Sequence, residues 1–162
     1  MKVNRRSVFM FALTFVGISG RGPVKAQQPF DFNPVSTAKL RAGEITREIE
    51  GSPRDQTVPE PSWDAVFNAG LLLQAGLRAL LPIRERQGVA LPGAPSPKDP
   101  PELVEAQENY KAVFQSGAEA TRAQKAIALK SLDLAALQLR NAGYASLSKS
   151  LSDWIGAQDR RL

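Results

Sequence analysis

The sequence predicts an all-α protein, an antiparallel four-helix bundle with proline-rich links and an extended N-terminal arm. Three observations carry this. Apolar residues recur at the helical period in four stretches, no run alternates with the period of two of a half-buried strand, and two proline-rich segments separate the stretches. The 162 residues are 43% hydrophobic, which is enough apolar material for one small core and one domain.

Residues 1–26 read as a cleavable signal peptide: a basic start, an apolar run from Val8 to Ile18, then Gly20, Gly22 and Pro23 as breakers. As a helix that run reaches roughly 16 Å, about half of a ~30 Å hydrocarbon core, so it is too short for a permanent span. Cleavage is expected after Ala26, because Val24 and Ala26 supply the small side chains a peptidase accepts, and Gln27 then begins the mature chain. The stretch from Asn4 to Phe9 resembles the twin-arginine export signal, with Arg5 and Arg6 as the pair that is read. An ordinary secretory leader needs only positive charge there, so both routes stay open. Arg21 and Lys25, beyond the apolar run, favour the twin-arginine route.

Residues 27–34, with two prolines and no helical period, read as an extended arm. Phe30 and Phe32 alternate in it and share one side, available either to a partner or to the chain's own core. The helical part follows as residues 35–162. A first short helix from Ser36 places Ala38, Ala42, Ile45 and Ile49 on one stripe, and Gly51 with Pro53 stops it. After a polar, proline-rich link over 52–61, Ser62 caps the most apolar helix of the chain, with Asp64 at its positive end. Trp63, Val66, Phe67, Gly70, Leu71, Gln74, Leu77 and Leu81 follow its period, and Leu72, Leu73 and Leu80 widen the stripe beyond what one contact needs. That excess has two explanations: a central helix packed on several sides, or a docking patch at Phe67, Leu71 and Leu72.

Residues 88–101 hold Pro92, Pro95, Pro97, Pro100 and Pro101 and predict a surface loop without helix. Asp99 is the expected cap of the next helix, which carries Leu103, Ala106, Tyr110, Val113 and Phe114 on one face, kinks at Gly117 and continues to Leu139. Asn141 to Gly143 marks a stop. A final helix then aligns Tyr144, Leu147, Leu151, Trp154 and Ile155. Trp63 and Trp154, each on an apolar stripe, are expected in the core.

The residue inventory restricts function more than the pattern does. With no His and no Cys, the chain offers no imidazole base, no thiolate and none of the usual zinc, cluster or haem ligands. No catalytic, cofactor-binding or metal-binding residue is assigned, and no cofactor is expected. Glu102, Glu105 and Glu108 suit a solvated helix start better than a cation site. The Ser146 and Lys149 spacing, shared with serine–lysine enzymes, lacks that chemistry's other elements. The net charge of +5 resides in residues 1–26, and the remainder carries 16 basic and 16 acidic residues, so no nucleic-acid partner is expected.

Trp63 opening a helix that runs to Leu80-Leu81-Pro82, the Leu132-Asp133-x-Ala135-Ala136 step, the proline-bearing arm, and Tyr144, Leu151 and Trp154 on the last helix resemble the PsbQ-like proteins. The resemblance covers residues 27–158 and implies a four-helix-bundle extrinsic subunit on the lumenal side of photosystem II. Three features depart from the pattern: the helix from Trp63 to Pro82 is short, the insert over 88–101 is long, and no lipidated cysteine follows the leader as in cyanobacterial members. The chain is therefore expected to be an exported, non-enzymatic accessory protein in the thylakoid lumen or a bacterial periplasm. In the periplasm it would serve as an accessory subunit of a cofactor-bearing partner or as a component of an envelope assembly. Its partners would be protein subunits of a membrane complex, with membrane association running through them, and the docking residues would be Phe30, Phe32, Phe67, Leu71 and Leu72.

Overall fold

The computed structural model describes Phe30 and residues 32–162, which contain helices and no strand. Six helices follow in chain order: α1 (Pro34–Lys39), α2 (Ala42–Glu50), α3 (Trp63–Ala79), α4 (Pro101–Ser116), α5 (Arg122–Asn141) and α6 (Ala145–Asp159), with one 3₁₀ turn at Ile83–Glu85. Arg5, Arg6, Ala26 and Gln27 lie outside the described residues.

Helix α3 is central: α1, α2, α4 and α5 all pack on it, while α6 lies against α5. Its second half is buried almost all round, from Leu72 and Leu73 through Ala75, Gly76, Leu77, Arg78 and Ala79. The apolar width of this helix therefore comes from packing on several sides. Small residues set the distance between α3 and α5. A Cβ added at Gly76 would stand 2.6 Å from Leu132 Cγ and 2.9 Å from the Ala128 carbonyl oxygen. Across the same crossing, Ser131 Oγ donates to the Leu72 carbonyl at 2.8 Å. Ser148 Oγ does the same from α6 to Ala136 of α5 at 2.7 Å. These buried hydroxyls find acceptors on the neighbouring backbone because the helices come this close.

The sequence expectation needs four corrections. The first short helix is two, because the chain is extended at Leu40 and Arg41. Carbonyls released by the break are taken by α3: Arg78 Nε donates to Ala38 O at 2.9 Å and Arg78 Nη2 to Leu40 O at 3.2 Å. Gln74 Nε2 also reaches Leu40 O, at 2.9 Å. On the far side, Arg41 N–H donates to Glu44 Oε2 and restarts the helix. Second, Gly117 is a terminus rather than a kink. It ends α4 with a left-handed φ of 64°, and Thr121 with Gln124 then forms a reciprocal capping box that starts α5.

Third, Asp99 caps no helix: its carboxylate accepts from Ser96 N–H, and Pro101 is itself the first residue of α4, where a missing N–H costs nothing. The loop thus runs from Arg86 to Pro100 without helix. Fourth, Trp63 is not in the core. It is 53% exposed, because it opens α3 before the helix reaches its packing partners.

Other expectations agree with the structure. Ser62 Oγ accepts from Ala65 N–H at the start of α3, α5 ends at Asn141, and Leu147, Leu151 and Ile155 are buried.

The α3–α5 contact yields a direct test. Gly76→Ala gains helix propensity worth about 1 kcal/mol, yet its methyl meets a backbone carbonyl that cannot rotate away, and overpacking of this kind costs about 1–3 kcal/mol. Urea unfolding should show a net loss of about 1 kcal/mol; a gain would mean that the two helices separate freely.

Candidate functional site

The candidate site is a surface for contact. Trp63 and Phe67, one helical turn apart on α3, stack with ring centroids 4.6 Å apart and planes 15° from parallel. An i, i+4 pair on a helix brings the rings together locally, and the rest of the fold is not needed to align them. Phe67 is half-buried, and Leu71, the next residue along this line, is partly buried against the core. Together they form an aromatic and apolar line on α3 that its neighbours leave partly uncovered, with Trp63 as its outer end.

The proposed docking residues separate accordingly. Phe67 and Leu71 reach the surface in part, as the docking expectation requires. Leu72 is 1% exposed and packs in the main core, so it presents nothing to a partner. The periodicity of α3 places Leu72 opposite Trp63, where α5 covers it through Ser131. Phe30 and Phe32 are partly buried like Leu71, and both pack against the core from outside. Phe32 meets the Trp154 ring edge-on at 5.8 Å and Phe30 lies 6.4 Å from Phe32. These rings have an intramolecular partner, which is the folded-back alternative for the arm. Sequence reasoning assigned Trp63 to the core. The available signal was its position as the first helical residue, where one turn has not yet formed beneath it.

Several charged side chains among the described residues are paired with one another at the surface. Lys149 Nζ is taken by Asp153 at 2.6 Å, and Glu105 pairs with Lys130 at 3.4 Å. Among the described residues no three Asp or Glu side chains converge to hold a metal, and no helix is long and apolar enough to cross a membrane. The perturbed groups are structural. Burial pushes the Tyr110 phenol up, against the opposing pull of Arg78, and the phenol donates to Ala90 O at 3.4 Å. Hydrogen bonding and the charge of Lys39, 2.9 Å away, hold Glu85 below the usual carboxylate range. This surface pair tethers α1 to the 3₁₀ turn.

The chain matches no protein-family model, and no curated protein or solved structure is significantly similar to it.

The different environments of the aromatics predict different costs of truncation. Phe32→Ala should lower unfolding free energy by about 1–3 kcal/mol and shift Trp154 fluorescence to the red, whereas Trp63→Ala should cost under about 1 kcal/mol. Equal losses in urea unfolding would return Trp63 to the core.

Proposed function

We propose that this chain is an exported, non-enzymatic accessory protein that docks on a membrane-bound complex and stabilises it. The observation that carries the reading is the exposed Trp63 stacked on Phe67 at the start of α3. Half-exposed tryptophan is unfavourable in water and supplies large rigid contact area when covered, which is why aromatics dominate interface energetics. The lack of His and Cys and the neutral balance of residues 27–162 support the same reading, since they leave contact as the chemistry available. Export rests on the leader-like pattern of residues 1–26. In this reading α3 to α6 form an antiparallel four-helix bundle, supported by the short 142–144 connection between α5 and α6, which pack together. The PsbQ-like resemblance puts the partner at the lumenal side of photosystem II, and the periplasmic alternative puts it in a bacterial envelope.

Affinity purification of the tagged chain from native membranes tests this. The wild type should bring down subunits of one membrane complex, and Trp63→Ala with Phe67→Ala should reduce that yield at least about tenfold. As a control, Leu137→Ser, at another exposed apolar position on α5, should keep it. Equal recovery by the double variant would contradict docking through α3.

A further inference from the structure

On the side of α3 away from Trp63 lie two adjoining clefts that no part of the docking surface uses. The larger, about 580 Å³, is mostly apolar and runs between the 58–61 link, the first turns of α3 at Ala65 and Ala69, and the end of α5 at Leu139 and Ala142. The smaller, about 270 Å³, is mostly polar and is lined by Glu50, Arg54, Gln56 and Tyr144. Glu60, Pro61 and Val66 line both, so the clefts meet at that wall.

Tyr144 forms part of the polar cleft and is 4% exposed, yet its hydroxyl has no hydrogen-bond partner among the described residues. The oxygen itself still reaches solvent through the cleft, since Arg86 Nη2 is the one fully buried side-chain polar atom left without a partner among the described residues, so a group entering the cleft can take this hydrogen bond. Burial pushes the phenol above its ordinary value; Arg54 opposes this, and the negative charges of Glu50 and Glu60 add to it. Tyr144 therefore keeps its proton at neutral pH and remains able to donate.

The charges around it are unequal. Arg54 is already committed to the backbone, donating to Val58 O at 2.8 Å and Asp55 O at 3.3 Å. The Asp55 carboxylate is taken by the Thr57 N–H and hydroxyl. Glu50 and Glu60 are in no ion pair among the described residues. Two free carboxylates beside one occupied guanidinium leave an excess of one negative charge. The walls are held in place, since Asp55 N–H donates to Gly143 O at 2.9 Å and Tyr144 N–H to Leu139 O at 2.9 Å. A fixed cleft of this kind needs little ordering on binding.

We propose that the two clefts form one binding site for a small amphipathic amine. Its apolar body would lie between α3 and the end of α5, and its ammonium between Glu50 and Glu60, with Tyr144 donating to a polar atom next to the amine. This site is independent of docking at Trp63, so either can fail without the other.

Calorimetric titration of the full chain with octylamine, octan-1-ol and octanoate tests the site. Octylamine should bind saturably, and octanol and octanoate at least about tenfold more weakly, since only the amine answers both compartments. Glu50→Gln with Glu60→Gln should reduce octylamine binding to the level of octanol, while Ala142→Leu should weaken binding of both by filling the apolar cleft. Circular dichroism should show unchanged helix in each variant. Equal binding of octylamine and octanol by the wild type, or unchanged octylamine binding by the double glutamine variant, would overturn the proposal.

Discussion

Arg78 places a guanidinium inside the protein, 8% exposed, with no carboxylate near enough to pair with it among the described residues. Three carbonyls hold it instead: Ala38 and Leu40 from the end of α1, and Ala90 from the proline-rich loop at 3.1 Å. Its cation also lies 5.9 Å from the Tyr110 ring centroid. Dipoles in place of a counter-charge suit a planar group with five donors, and charge-assisted bonds of this kind are each worth about 1.5–3 kcal/mol. One side chain thereby ties two separate segments, the end of α1 and the proline-rich loop, to the central helix, and the loop has no regular structure of its own.

Around this knot the molecule divides into a part that must fit and a part that is free to meet other molecules. At the α3–α5 crossing, Gly76, Ala75 and Ala79 face Ala128, Ser131 and Leu132, and there is no space for a methyl group at Gly76. Arg86 closes the other end, donating to Leu81, Val113 and Ala118 carbonyls and lying 5.1 Å from the Phe114 ring centroid. The first turn of α3 projects beyond this packing, and that leaves Trp63 outside. Docking through it would not require the core to move, because the rings are aligned by their own helical turn.

Most helices were legible because local chemistry specifies them: Ser62 caps α3, apolar period marks α3 to α6, and prolines exclude helix from the loop after Arg86. Three features depend on residues distant in sequence and were not. The break at Leu40 and Arg41 looks like continuous amphipathic helix until Gln74 and Arg78, 34 to 40 residues away, supply donors for the freed carbonyls. Leu72 reads as surplus apolar surface until α5 is laid over it. Phe30 and Phe32 look like free aromatics until Trp154 is found beside them. The candidate site was half legible: Phe67 and Leu71 follow from the width of the stripe, while Trp63 was misread because periodicity gives direction around a helix and not the point where its neighbours end. Arg78 did leave a signal, as the only basic residue of the helix and the only charged one in its apolar second half.

Native-state hydrogen exchange on the wild type and on Arg78→Met tests the role of the knot most directly. Methionine keeps much of the apolar stem and removes every Arg78 donor, so Ala38 O loses its side-chain partner while Leu40 O keeps only Gln74 and Ala90 O only Tyr110. If Arg78 ties the outer segments to the core, amides of Leu40, Ile49 and Val89 should open more easily by about 2–4 kcal/mol while those of Leu132, Leu139 and Leu151 keep their protection. A uniform loss across all helices, or no loss at Leu40 and Val89, would contradict the account.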